Sequence, residues 1–144
     1  MSEADKARLC AAAMFANDKA SRDLGISVTV EQAGCAEAVF EVRENMLNGH
    51  DVCHGGYIFT LADTAFAFAC NSYDRLTLAA SASIEFLRPV RAGETLKAIA
   101  TESHRGGRSG LYDVVVSNQD GENVALFRGR SHATSQAILG HSDT

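Results

Sequence analysis

Near the start of the chain the apolar positions recur at helical spacing, with Ala7, Cys10, Ala11, Met14 and Phe15 on one face. The spacing predicts an amphipathic helix over residues 4–20, within an N-terminal helical segment 1–24 that ends before Gly25. From Ile26 the period changes to two. Ile26, Val28 and Val30 alternate with Ser27, Thr29 and Glu31, and Ala36, Ala38, Phe40 and Val42 form a second alternating set. Gly34 supplies the turn between these two strands. A loop over residues 45–54 follows and ends in Gly55-Gly56.

Residues 55–72, GGYIFTLADTAFAFACNS, hold one charged side chain, Asp63. The run approaches membrane-span length. A central Asp, two Thr and strands on either side make it a better buried helix of a water-soluble core. Downstream, Leu76, Leu78, Ala80, Ala82, Ile84 and Phe86 are expected to share one face of a strand, with Thr77, Ser81, Ser83 and Glu85 on the other. Pro89 and Gly93 mark a turn, strands at 94–104 and 110–118 flank the loop 105–109, and Asp120-Gly121 turns into a last strand at 122–133. The tail from Thr134 has no period, so residues 135–144 are expected to be frayed. Strands do not alternate regularly with helices, which disfavours a parallel doubly wound sheet. The pattern predicts one α+β domain over 1–144, a curved antiparallel sheet wrapped around the 55–72 helix.

Composition narrows the function classes. The 144 residues are enough for one self-sufficient domain. Lysine and arginine number 13 against 18 acidic residues, a net charge of −5, the reverse of what a nucleic-acid binder needs. Cys10, Cys35, Cys53 and Cys70 form no CxxC pair and no zinc-site spacing, so they read as free thiols in a reducing compartment. The segment from Lys6 to Ala16 imitates a signal peptide, but it is short, mostly alanine, and preceded by Glu3 and Asp5. The expectation is a cytoplasmic protein with neither membrane nor nucleic acid as partner.

Two features carry candidate chemistry. Asp63 has only Phe59, Thr60, Phe66 and Ala67 three and four residues away on its helix, none of them positive. A buried carboxylate without a cation is costly and should have a raised pKa. Either an unseen partner satisfies it or it is functional. At the start of the helix, the N–H groups of Gly55 and Gly56 point outward, where the helix dipole favours negative charge, making an oxyanion hole or merely a tight turn. His54 beside them is a structural histidine or an anchor for loop and substrate. Gly55 and Asp63 are eight residues apart, about 12 Å along a helix axis. Base and oxyanion donor must both lie within about 3 Å of one reacting group. One helix cannot easily do this, whereas two antiparallel helices of a two-fold dimer can, giving two identical shared sites.

Weaker candidates complete the set. Cys53-His54 imitates a nucleophile–base pair, although neighbours in sequence rarely aim at each other. Ser81 falls on the polar face of its strand. The loop Arg105-Gly106-Gly107-Arg108-Ser109 suits phosphate contact or a solvated hairpin. GxGxxG, Walker and GxSxG motifs are absent.

These residues resemble the hotdog-fold acyl-CoA thioesterases, in particular those of phenylacetic acid degradation. The resemblance rests on Leu47-Asn48-Gly49-His50, His54-Gly55-Gly56, Leu61-Ala62-Asp63-Thr64-Ala65, Ser81, Phe86-Leu87-Arg88-Pro89 and Ala125-Leu126-Phe127-Arg128-Gly129, and covers residues 7–134. It implies a homodimer with a continuous sheet, usually paired into a tetramer. It further implies that Asn48, His54 and Gly55 of one subunit meet Asp63, Thr64 and Ser81 of the other. The implied reaction is hydrolysis of phenylacetyl-CoA or a ring-hydroxylated relative, with Gly55 N–H as oxyanion donor and Asp63 as general base or direct nucleophile. In that reading Asn48 orients water or substrate, His54 holds the loop, Thr64 and Ser81 assist, and Arg88, Arg105 and Arg108 contact CoA phosphates. No metal or cofactor is called for beyond the CoA of the substrate. A hotdog hydratase, which would need an Asp/His or Glu/His pair, and a non-catalytic acyl-CoA-binding module are the alternatives.

Overall fold

Asp18 divides the N-terminal helix in two. The structure, a computed structural model, describes residues 1–140. Helix α1 (Glu3–Asn17) starts at a reciprocal cap between Ser2 and Asp5. At Asp18 the backbone leaves the helical region, and its carboxylate accepts from Ser21 N at 3.0 Å and Ser21 Oγ at 2.7 Å. A new cap is a new start. The single helix expected over 4–20 is therefore α1 followed by the short α2 (Lys19–Asp23).

Strands β1 (Ser27–Thr29) and β2 (Cys35–Glu41) follow as the two-residue period requires, joined through Gly34 at φ 83°. The loop to the long helix contains one 3-10 turn (Glu44–Met46) and a Leu47–Cys53 bridge. Helix α3 (Gly55–Cys70) matches the apolar run. Its C-cap, Asn71, donates to Ala67 O at 2.9 Å and Thr77 O at 3.0 Å and accepts from Thr77 N at 2.8 Å, tying the helix end to the next strand. Strands β3 (Thr77–Phe86), β4 (Thr95–Gly106), β5 (Ser109–Ser117) and β6 (Asn123–Ala133) complete one six-stranded sheet in the order β1-β2-β4-β5-β6-β3, every neighbouring pair antiparallel.

The inner face of this sheet wraps α3. Phe40, Leu96, Tyr112, Val114 and Phe127 from the sheet and Leu61, Phe66 and Phe68 from the helix are all buried together. Burial of each large side chain of this kind contributes about 1.5–3 kcal/mol. The helix comes close because Gly129 lies under Phe66, where a Cβ would stand 2.7 Å from the ring. The hotdog arrangement implied by the sequence is the one observed.

Two further expectations need correction. Leu76 to Phe86 do not share one face. The register slips between Ala79 and Ser81, so Thr77 and Ala79 lie opposite Ala133 and Ser131, while Ala82, Ile84 and Phe86 lie opposite Gly129, Phe127 and Ala125. The extra residue, Ala80, flips the alternation, which leaves Leu78 on the outer face and 56% exposed. The tail is not frayed as far as Leu139. Leu76 N donates to Gln136 O at 2.7 Å, and Asp74 Oδ1 accepts from the N–H groups of Ile138 and Leu139 at 3.1 and 2.9 Å. The remainder of the expected frayed tail, 141–144, lies outside the described residues.

Candidate active site

The loop before α3 is organised by Asn48. Its Oδ1 accepts from His50 N at 2.9 Å and Val52 N at 3.4 Å, and Asp51 takes the left-handed conformation at φ 59° to close the turn. Cys53 N donates to Val90 O at 2.7 Å and His54 N to Met46 O at 2.8 Å, which fixes the chain as it enters α3. His54 is the N-cap: its Nδ1 accepts from Gly56 N at 3.3 Å, leaving the imidazole proton on Nε2. Among the described residues no acceptor takes the Gly55 N–H. That donor sits at the positive end of the helix dipole, so it can stabilise an oxygen that gains negative charge.

Further along α3, one face is left partly open. Gly56, Phe59, Thr60, Asp63 and Ala67 recur at three- and four-residue spacing and, with Gly55 and Tyr57 in the first turn, are the positions on the helix that stay exposed or half-buried. Among the described residues Asp63 has neither a hydrogen-bond nor an ion-pair partner within reach, and burial raises its pKa. A carboxylate so placed can accept a proton more readily than an exposed one. Gly55 lies eight residues before it on the same helix, about 12 Å away along the axis. Within one chain the donor and the carboxylate therefore do not meet.

The other candidates distribute unevenly. Thr64 neighbours Asp63 in sequence, but its hydroxyl proton is committed to Thr60 O at 2.7 Å, and the side chain is buried. Ser81 lies on the outer face of the sheet beside Leu111, Arg128 and Arg130, across the sheet from α3. Arg88 is half-exposed and paired with Glu122 at 3.0 Å. Arg105 stacks over the Tyr73 ring at 3.5 Å, and with Arg108 and Arg75 it lines a cleft of about 120 Å³ at the far end of α3. Tyr73 donates to Glu102 at 2.6 Å, and burial beside that carboxylate pushes its hydroxyl pKa up to about 12. Cys53 is buried with its pKa pushed up to about 11, which makes it a neutral thiol rather than a nucleophile. Among the described residues no three His, Cys, Asp or Glu side chains gather as metal ligands, and no helix is long and apolar enough to cross a membrane.

Two side chains at this site were not singled out for a role by sequence reasoning. Arg75 joins the arginine cleft from the turn after α3. Phe86 places the tip of its ring against Gly55, where Cζ stands 2.9 Å from the position a Cβ would occupy. The pairing of residues 55 and 86 leaves no local signal in the chain, although both fall in the segments that carry the family resemblance.

Known proteins match this sequence and its fold closely. The model of the thioesterase superfamily matches residues 50–125. Acyl-coenzyme A thioesterase PaaI of Escherichia coli (strain K12) is 46% identical over 130 residues, which is 90% of this chain and 93% of that protein. The solved structure of the E. coli PaaI protein from the phenylacetic acid degradation operon superposes with a TM-score of 0.92, covering 94% of this chain and 99% of that one. A protein of Streptococcus mutans UA159 solved with acetyl CoA is 28% identical and superposes at 0.74, covering 78% and 90% of the two chains. Fold and relatives agree, and the chain belongs to the thioesterase superfamily.

Proposed function

We propose that this chain hydrolyses aryl-acyl-CoA thioesters, phenylacetyl-CoA or a ring-hydroxylated relative, to the free acid and CoA. The observation that carries the proposal is the pairing, on one helix, of an unpartnered N-terminal N–H at Gly55 with an unpartnered, half-buried carboxylate at Asp63. Similarity to PaaI and to a relative that holds acetyl CoA supports the choice of CoA ester.

The sheet edge supplies the means to join two half-sites. β1, at one edge, has three residues, whereas β3, at the other, has ten with a single charge, Glu85. A long, nearly uncharged edge is a template for pairing with another strand. Two copies joined through β3 form a homodimer in which Gly55 and Asn48 of one subunit face Asp63 of the other, and dimers pair into a tetramer. Gly55 N–H then polarises the thioester carbonyl. The partner's Asp63 takes a proton from water as its oxygen attacks the carbonyl carbon. The tetrahedral intermediate collapses with breakage of the C–S bond, and the proton held by Asp63 goes to the departing sulfur. A raised pKa suits a group that must both take and return a proton. Asn48 orients the water or the ester, and His54 holds the loop through its cap. Arg105 and Arg108, with Arg88 at lower occupancy because of Glu122, attract the CoA phosphates. The mechanism calls on no metal or further cofactor. Four free thiols are in keeping with a cytoplasmic setting.

Thiol release from a panel of phenylacetyl-, hydroxyphenylacetyl-, benzoyl- and straight-chain acyl-CoA esters tests the reading. The highest kcat/KM is expected for a phenylacetyl ester. Tight binding without thiol release across the panel would overturn hydrolysis in favour of a binding module.

A further inference from the structure

We propose that Phe86 is a positioning residue for the Gly55 donor, its ring tip filling the space that a side chain at position 55 would need. The inference rests on the thioesterase mechanism above and adds a residue to it.

The two glycines at the start of α3 are not equivalent. Neither is among the residues with positive φ, so backbone conformation does not demand a glycine at either. A Cβ on Gly56 would meet only His54 Nδ1, at an ordinary 3.5 Å. A Cβ on Gly55 would meet the Phe86 ring end-on, with Cζ at 2.9 Å, Cε1 at 3.3 Å and Cε2 at 3.4 Å. The three atoms nearest to such a Cβ all belong to this ring, so a side chain at 55 requires the ring to move. Within a single subunit the core does not account for the ring's place, since Phe86 is 52% exposed there. It forms one wall of an open, mostly apolar cleft of about 550 Å³ with Val52, Ile58, Pro89 and Val90, and Gly55 lies in that cleft.

The frame on either side of the contact is rigid. Phe86 is held in register opposite Ala125, and the next residue, Leu87, donates its N–H to Val124 O at 2.8 Å. Cys53, two residues before Gly55, is tied to Val90, four residues after Phe86. The end of β3 and the first turn of α3 are thus strapped together with the ring between them. A ring standing where a Gly55 side chain would project limits how the first peptide of the helix can tilt, and that tilt sets the direction of the Gly55 N–H. Such an effect is realised as charge develops on the carbonyl oxygen, so it should appear in kcat rather than in KM.

A four-protein cycle of wild type, Gly55→Ala, Phe86→Ala and the double variant tests the proposal, with Phe86→Tyr as a fifth protein. Phe86→Ala is expected to lower kcat about tenfold with KM changed less than about threefold. Phe86→Tyr is expected to lower kcat as well, because its hydroxyl projects from Cζ, the ring atom nearest Gly55. The double variant should turn over about five- to tenfold faster than Gly55→Ala alone, the space vacated by the ring receiving the new methyl. A double variant equal to the product of the singles, or a Phe86→Ala enzyme with wild-type kcat, would overturn the proposal. Failure of the functional reading is a different result, namely no thiol released by the wild type from any ester. The contact is then read from thermal unfolding, where Gly55→Ala should lower the midpoint and added Phe86→Ala should restore it; absence of restoration would overturn the contact itself.

Discussion

His54 Nδ1 accepts the Gly56 N–H at 3.3 Å, and in doing so it leaves the preceding N–H, that of Gly55, as the outward donor at the start of α3. One cap thus decides which backbone group is satisfied internally and which is offered to a ligand. Replacing His54 by alanine is expected to cost about 1 kcal/mol of folding stability, the usual value of a side-chain N-cap. Asparagine, a good cap in its own right, should recover most of the loss. Urea unfolding of the three proteins measures both effects.

Asp63 offers a test with a defined sign. Asp63→Asn is nearly isosteric, so the fold should persist while kcat falls by roughly 10²–10⁴, the range for loss of a general base. Because burial raises the Asp63 pKa, the ionised carboxylate destabilises the folded state at pH values above that raised pKa. The variant lacks this penalty. It is expected to unfold at a higher temperature than the wild type at neutral pH. The advantage should shrink as the pH falls through the raised pKa and vanish below about 3.9, the ordinary Asp value, where the wild type is protonated both folded and unfolded. In the wild type the acid limb of kcat/KM should lie above the ordinary carboxylate range.

The arginines separate recognition of CoA from the chemical step. Arg105 and Arg108 have no acidic partner within 4 Å among the described residues, in contrast to Arg88, which pairs with Glu122. Arg105→Ala and Arg108→Ala are each expected to raise KM for an acyl-CoA about three- to tenfold with little change in kcat, and Arg88→Ala less. The same acyl group on N-acetylcysteamine, which has no phosphates, should be hydrolysed equally by wild type and variants. Initial-rate kinetics on the two esters make the comparison.

Much of this site was legible in the chain because its signals are local. Asp63 is the single charge in an apolar run, and the two glycines with a preceding histidine mark the helix start, so α3 and its two candidate groups follow from one stretch of sequence. The break at Asp18 was also local, an Asp three residues before Ser21, but it was obscured by apolar spacing that continues across it. The bulge at Ala80 was not legible, since one extra small residue leaves the alternation of letters intact while inverting the faces they occupy. Contacts between distant residues gave no sign either. Phe86 against Gly55, Arg105 on Tyr73 and the tail on Asp74 each join segments brought together only by the folded sheet.

A central claim, that each active site is shared between two subunits, is tested most directly by mixing two inactive proteins. Asp63→Asn lacks the base, and Gly55→Pro, made together with Phe86→Ala so that the ring does not meet the new side chain, lacks the donor N–H at a helix position where proline is tolerated. Each is first shown by sedimentation to assemble as the wild type does. The two are then unfolded together in equal amounts, refolded, and assayed for thiol release from phenylacetyl-CoA. Half of the dimers formed are mixed, and each mixed dimer holds one site with both Gly55 and Asp63 intact, so recovery of about a quarter of wild-type activity is expected. A mixture as inactive as its two components would contradict the shared site.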